Sequence, residues 1–149
     1  MKEHEKEAEV PYIIIIEDND ADILLTREAL KEVGKPVKAE FFNTGLKVLD
    51  WIKNSDLPAF IRPHFILLDI NMPGIDGLEL LKRIKTEPRL ASIPVIVFSN
   101  SNSHRDVIQS YQNGANSFVK KPLDYDDFVI LLAQITHYWT DIVIQVIAL

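Results

Sequence analysis

The sequence contains no cysteine, which excludes a disulfide framework and any chemistry that needs a thiol. It has no apolar run near the roughly 18 residues that a membrane-spanning helix needs, and its first residues lack the apolar segment of a signal peptide. Basic residues never cluster beyond two in succession, and the net charge is -6. This balance argues against nucleic acids, anionic membranes and acidic partners, so we expect a cytoplasmic protein that binds no nucleic acid and no membrane.

Apolar residues are abundant enough for one sizeable core. A length of 149 residues and a hydrophobic content of 47% suit a single domain. We expect residues 1–11 to form a charged arm, residues 12–138 the folded domain and residues 139–149 an apolar extension. The β-branched residues after position 138 favour a strand or an interface arm there. The two prolines in residues 54–64 predict a loop.

Four short apolar runs have the length of buried strands, and each ends in a chemically active side chain. The ends of these runs carry Glu17 and Asp18, Asp69, Ser99, and Lys120 and Lys121. A weaker strand is expected over residues 37–42. Helical spacing of apolar residues follows each strand, and Asn19, Asp76 and Asp124 are suited to cap three of these helices. Alternating strands and helices predict a doubly wound α/β fold with helices on both faces, whose ligands bind at the carboxyl ends of the strands.

The strand-end side chains form a set that suits phosphoryl chemistry. Glu17, Asp18 and Asp69 would oppose each other's ionisation unless a cation neutralised them, and Mg²⁺ is the economical cation. A carboxylate beside Mg²⁺ can attack phosphorus and become an acyl phosphate. Lys121 and Ser99 are then candidates to bind the phosphoryl oxygens.

Each of these residues also has an ordinary structural explanation. Asp69 alone suits a turn, and Glu17 with Asp18 suits the start of a helix, where acids complement the helix dipole. An isolated Ser99 would most often be a turn hydroxyl, and an isolated Lys121 a solvated lysine. Their occurrence together at successive strand ends favours a common site.

Several motifs together resemble the receiver domain of two-component response regulators, which have the chemotaxis-type fold. The matching pieces are Glu17-Asp18, the segment LLDINMPGIDG around Asp69, Ser99, Phe118 and Lys121-Pro122. The resemblance implies a five-stranded parallel sheet in the order 2-1-3-4-5 and phosphorylation of Asp69 by a sensor histidine kinase. It also implies a Mg²⁺ site whose ligands are Glu17, Asp18, Asp69 and the backbone carbonyl of Asn71. By the same resemblance, Ser99 and Lys121 bind the phosphoryl group, and Ser99 and Phe118 form the switch. The bond before Pro122 is expected to be cis.

A narrower resemblance connects the chain with the stand-alone regulators that are paired with cyanobacterial-type phytochromes. It is based on the loop at residues 54–64, the His-Tyr-Trp sequence at residues 137–139 and the apolar end of the chain. It implies a phytochrome as the kinase. The apolar residues of the extension favour a homodimer formed through it, and the alternative is that the extension folds back over its own domain. We expect no output domain, since few residues follow the predicted receiver. Two departures from the common pattern are Glu17, where many members have aspartate, and Asn100, where a small residue is usual. The bulkier Asn100 puts the lifetime of the phosphoryl group in doubt.

Two other functions remain open from the sequence. A metal-dependent phosphohydrolase could use an aspartyl-phosphate on a similar sheet, but such enzymes usually have a second acid two residues after the nucleophile. That position is Asn71, an amide. A binding module that ignores phosphorylation is the other alternative, and the complete set of acids, hydroxyl and lysine argues against it.

Overall fold

The structure is a computed structural model that describes residues 10–54 and 62–145. Most of the predicted arm, most of the predicted loop and the last four residues of the extension lie outside these ranges. No helix within the described ranges is long and apolar enough to cross a membrane.

Five parallel strands form one sheet in the order β2-β1-β3-β4-β5. This confirms the predicted fold and strand order. The strands alternate with five helices along the chain, with these bounds: β1 Tyr12–Ile16, α1 Asp20–Lys31, β2 Lys38–Phe42, α2 Gly45–Asn54, β3 Phe65–Leu68, α3 Gly77–Thr86, β4 Val95–Ser99, α4 His104–Gln112, β5 Ser117–Lys120 and α5 Tyr125–His137.

Two hydrophobic clusters cover the two faces of the sheet. Successive residues of a strand point to opposite faces, so β1 divides its isoleucines between the clusters. Ile13 and Ile15 pack with residues of α1 and α5, whereas Ile14 and Ile16 pack with residues of α2 and α3. The central strands are buried on both faces, which is why their sequences read as continuous apolar runs.

Polar side chains fix the starts of the helices as predicted. Asn19, Asp76 and Asp124 accept hydrogen bonds from backbone N–H groups in the first turns of α1, α3 and α5. Ser103 does the same for α4. These caps set where each loop ends, and therefore how much backbone separates each strand end from the next helix.

The chain after α5 is not a strand in the described region, and the expectation of a strand there is wrong. Residues Tyr138–Ile142 form a π-helical segment that continues α5, closed by the Val143 N–H on the Tyr138 carbonyl at 2.9 Å. Lys35 Nζ holds this segment to the end of α1 through Asp141 Oδ2 at 2.6 Å. Trp139 packs against the cluster shared by α1 and α5. Contacts with the domain therefore outweigh the β preference of the individual residues.

Candidate phosphoryl-transfer site

The carboxylates at the end of β1 are held by the backbone around them. Glu17 is only 4% exposed, and its N–H donates to the Phe42 carbonyl at the end of β2. Glu17 Oε1 accepts from the Asn19 N–H at 3.1 Å. This bond ties the Glu17 side chain to the residue that caps α1. Asp18, the next residue, is half-buried.

Asp69 occupies the corresponding place after β3 and is 7% exposed. Its N–H donates to the Ile16 carbonyl at 3.0 Å, which aligns it with the end of β1. Asp69 Oδ1 accepts from the Asn71 N–H at 2.9 Å. The loop that follows reaches α3 so closely that a Cβ on Gly77 would lie 2.4 Å from the Ile70 Cα. Only glycine fits at that position, and its close approach fixes the path of the loop after Asp69.

Glu17, Asp18 and Asp69 form an acidic cluster, since one carboxylate oxygen from each lies within 4.8 Å of the others. Oxygen ligands of this kind suit Mg²⁺, so the residues fit the predicted ion. Burial raises the pKa of Glu17 to about 7, and the charge of Asp69 also raises it, while Lys121 and the Asn19 N–H lower it. A buried carboxyl with so high a pKa holds a proton that a bound cation would displace.

Lys121 follows β5 and is almost fully buried among carboxylates. Its Nζ donates to Glu17 Oε2 at 2.5 Å, to Asp22 Oδ2 at 2.9 Å and to Asp69 Oδ2 at 3.0 Å. Burial lowers the pKa of Lys121, but the hydrogen bonds to Glu17 and Asp22 and the charges of Glu17 and Asp69 outweigh it, so the pKa is raised. The lysine therefore stays charged beside the predicted phospho-acceptor.

Asp22 is the residue of this site that sequence reasoning missed. It lies in the first turn of α1, where an acid is expected for the helix dipole alone. Its position four residues after Asp18 is the sequence feature that indicates a place in this site, because the first turn of a capped helix stays close to the strand end before it. Asp22 is also less buried than Glu17 and Asp69, with a quarter of its side chain exposed.

Ser99 ends β4, is fully buried, and is linked to the loop after Asp69. Its Oγ accepts from Asn71 Nδ2 at 2.8 Å and from the Ser101 N–H at 3.2 Å. The Lys121 N–H donates to the Ser99 carbonyl at 2.8 Å. Ser99, Asp69 and Lys121 are therefore joined in one network, with the amide of Asn71 as the bridge. Both bonds to Oγ use it as an acceptor, which leaves its own proton free to be donated.

The other residues singled out by sequence lie at the margin of this network. Phe118 is half-buried in the cluster on the α2 and α3 face, two residues before Lys120, and is aligned with Val97 on β4. Its N–H donates to the Tyr111 hydroxyl of α4 at 3.1 Å. Lys120 and Asn100 are exposed. Phe118 thus joins β5 to α4 rather than contributing a polar group to the site.

The peptide bond between Lys121 and Pro122 is trans, like every peptide bond among the described residues. The expectation of a cis bond is therefore wrong for this structure. The trans form is intrinsically favoured before proline by roughly 0.5–1 kcal/mol. In this trans form the chain already brings Lys121 Nζ within hydrogen-bonding distance of three carboxylates, so the ion pairs do not require the cis form.

Comparisons with known proteins agree with this geometry. The family model described as "Response regulator receiver domain" matches residues 13–133. The probable methanogenesis regulatory protein FilR2 of Methanothrix harundinacea is 36% identical over 134 residues, which cover 89% of this chain and 86% of FilR2. The response regulator Rcp1 of Synechocystis sp. is 33% identical over 132 residues, covering 88% of this chain and 90% of Rcp1.

Two solved structures extend the comparison to three dimensions. The phosphorylated cyanobacterial phytochrome response regulator RcpA has a TM-score of 0.83 at 31% identity, covering 93% of this chain and 99% of RcpA. The Mn²⁺-bound form of Rcp1 has a TM-score of 0.79 at 32% identity, covering 91% and 98%. The divalent ion of that relative is consistent with the acidic cluster found here.

Proposed function

Because this chain belongs to the response regulator receiver domain family, we propose that it is a phosphorylation switch in the cytoplasm. A sensor histidine kinase donates a phosphoryl group to Asp69, and the modified domain changes a surface that binds other proteins. The observation that carries this proposal is the contact of Lys121 Nζ with Asp69 Oδ2 at 3.0 Å inside a buried acidic cluster.

Asp69 supplies the nucleophile. One of its carboxylate oxygens forms a bond to phosphorus while the bond from phosphorus to the kinase histidine nitrogen breaks. The Asn71 N–H already binds Asp69 Oδ1 and Lys121 already binds Oδ2, so the carboxylate is held in place before the reaction. After transfer, Lys121 and the Ser99 hydroxyl are positioned to bind phosphoryl oxygens.

Glu17, Asp18, Asp69 and the backbone carbonyl of Asn71 would hold Mg²⁺. When bound, this ion offsets the charge of the carboxylates and of the phosphoryl oxygens. Asp22 has a separate role in the proposal, because it shares Lys121 with Glu17 and Asp69. It holds the Lys121 ammonium group on the side of the site that faces α1.

The identity of the kinase is the finer part of the proposal. RcpA is described as a cyanobacterial phytochrome response regulator, and its likeness over nearly the whole chain supports a phytochrome as the donor. A phosphohydrolase is less well supported, because the Asn71 side chain donates to Ser99 and an amide cannot act as a general acid.

The test is phosphorylation of the purified chain by acetyl phosphate and by histidine kinases, phytochromes included, followed by Phos-tag electrophoresis. We expect Asp69→Asn to lose the slow-migrating, base-labile species, because an amide is not a nucleophile. Asp76→Asn is the matched control, since Asp76 is an exposed acid of the same segment and asparagine can still cap α3. The proposal fails if the Asp69→Asn protein keeps the label. Chelation of Mg²⁺ before the phosphodonor is added should prevent labelling of the wild type.

A further inference from the structure

A groove of about 670 Å³ lies between α1 and the edge strand β2, and it shares no lining residue with the site described above. Its apolar lining includes Leu30 of α1 and Ala39 and Phe41 of β2. Leu30 is buried in the core cluster, whereas Ala39 and Phe41 are only partly covered. The groove therefore offers apolar side chains that the fold leaves partly open to a partner.

The same strand also offers backbone hydrogen bonds. β2 is the first strand in the sheet order and, among the described strands, pairs only with β1. The Lys38 N–H donates to the Pro11 carbonyl at 2.8 Å, and the Phe42 carbonyl accepts a bond from the end of β1. Residues of a parallel strand alternate between their two neighbours, so the N–H and carbonyl groups of Ala39 and Phe41 point away from the sheet. They form an open edge to which another strand can add.

The polar rim of the groove is basic, in contrast to the chain's net charge of -6. Arg27, Lys31 and Lys35 line it, and Glu28 is the one acidic residue that lines it within the described part of the chain. Lys31 is paired with Glu28, and Lys35 with an acid of the π-helical segment. The Arg27 guanidinium lies 4.0 Å from the centre of the Phe41 ring, and no carboxylate in the described part of the chain pairs with it. Its N–H groups are therefore available to a carboxylate from outside.

We propose that this groove is a docking site for an extended, acidic segment of a partner protein. The segment adds a strand to the open edge of β2 and places alternate apolar side chains over the groove. One of its carboxylates binds the Arg27 guanidinium. The net negative charge of the chain repels acidic partners at long range. Binding of the acidic segment therefore depends on the local positive charge of the groove rim.

The test uses nuclear magnetic resonance of the full chain with two short peptides that alternate valine with glutamate or valine with lysine. The glutamate peptide should shift the amide resonances of Ala39 and Phe41 and slow their hydrogen exchange, because both groups become bonded. The lysine peptide should bind at least tenfold more weakly. Arg27→Glu should weaken the glutamate peptide by at least tenfold, whereas Arg105→Glu, the same change at an exposed arginine of α4, should leave it unchanged.

Three results would overturn the proposal. One is the absence of any perturbation on β2 at millimolar glutamate peptide. Another is equal weakening by Arg27→Glu and Arg105→Glu, which would reflect net charge alone. The last is concentration-dependent broadening on β2 without peptide, which would assign the edge to a second copy of this chain. Equal thermal unfolding midpoints of the two variants serve as the control for folding. Neither variant changes Asp69. Phosphorylation of Asp69 is therefore measured in a separate experiment.

Discussion

Burial is the main reason that the pKa of Glu17 is raised, and the charges around Glu17 have smaller, partly opposing effects. One ammonium group, that of Lys121, faces the carboxylates of Glu17, Asp22 and Asp69. Burial raises the pKa of Glu17 to about 7 despite the opposing effect of Lys121. In metal-free protein the carboxyl most deeply enclosed therefore keeps a proton close to neutral pH. This makes the metal-free site sensitive to pH.

We expect the contribution of Glu17 to the stability of the metal-free protein to decrease as the pH rises toward neutrality. The unfolded chain releases the Glu17 proton near pH 4.5 and the folded chain near pH 7. The contribution to the free energy of unfolding is therefore fully present below pH 4.5 and is lost as the pH rises through about 7. Urea unfolding in chelator across this window measures it. Glu17→Gln cannot titrate and should show a flatter pH dependence, whereas parallel curves for the two proteins would contradict the raised pKa.

The contrast between Lys121 and Lys31 gives a second prediction. Both lysines bond a glutamate within about 3 Å, but the Lys121 side chain is 3% exposed and the Lys31 side chain 70%. Removing one partner of a buried ion pair leaves uncompensated charge, so Lys121→Ala should lower the free energy of unfolding in chelator by about 3 kcal/mol. Lys31→Ala should change it by less than about 1 kcal/mol. Equal losses in denaturant titrations would show that burial does not set the strength of the Lys121 pairs.

Residue positions were predictable where the fold alone determines them. The carboxyl ends of parallel strands share one edge, so Glu17, Asp69 and Ser99 could be placed together from the sequence. Asp22 could not, because its contact with Lys121 depends on the direction in which α1 leaves β1. The trans bond before Pro122 also differs from the expectation, because that expectation came from resemblance and not from a local physical requirement.

At the scale of elements, the loop between β3 and α3 is fixed by a close backbone contact. A Cβ on Gly77 would lie 2.4 Å from both the Cα and the carbonyl oxygen of Ile70. Backbone atoms cannot move aside as a flexible side chain can. The start of α3 is therefore pressed against the residue that follows Asp69, and any shift of one moves the other.

We expect Gly77→Ala to lower the free energy of unfolding by about 2–3 kcal/mol, as forced overpacking does, and to slow phosphorylation of Asp69 by displacing Ile70. Gly74→Ala is the matched control in the same loop. Its Cβ would meet open space, and its φ of 91° leaves only the cost of a left-handed conformation, about 1 kcal/mol. Unfolding curves and acetyl phosphate kinetics measure both effects. A Gly77→Ala protein with wild-type stability and rate would show that the loop adapts freely.

The π-helical segment shows where element prediction from sequence fails. Its residues favour strands by composition, but the Thr140 hydroxyl donates to the Thr136 carbonyl and Lys35 binds Asp141. These bonds continue α5 and fold the segment onto the domain. Local preference could not reveal the contact between Lys35 and Asp141, because these residues are distant in sequence. The helices with strong apolar spacing and side-chain caps, such as α3 and α5, were predictable because their signals are local.

At the scale of the whole molecule, several apolar side chains remain exposed after α5 and on α4. Ile142 is 57% exposed and Ile144 is 92% exposed after α5, and Tyr111 of α4 is 49% exposed. The Tyr111 hydroxyl binds the backbone of Phe118. A homodimer that buries Tyr111 would therefore contact the elements that join β5 to α4. A homodimer through the apolar residues after α5 is an expectation from the sequence, and it has a direct test.

We expect the full chain to dimerise and phosphorylation to strengthen the dimer, since binding and modification are linked through the same surface. Sedimentation with and without acetyl phosphate measures this. The double variant Ile142→Ser and Ile144→Ser should weaken association, because each isoleucine loses apolar burial of about 1.5 kcal/mol or more. Leu24→Ser, at an exposed leucine of α1, is the matched control and should leave association unchanged. Monomers at tens of micromolar in both phosphorylation states would disprove the dimer, whereas equal weakening by Leu24→Ser would move the interface to α1.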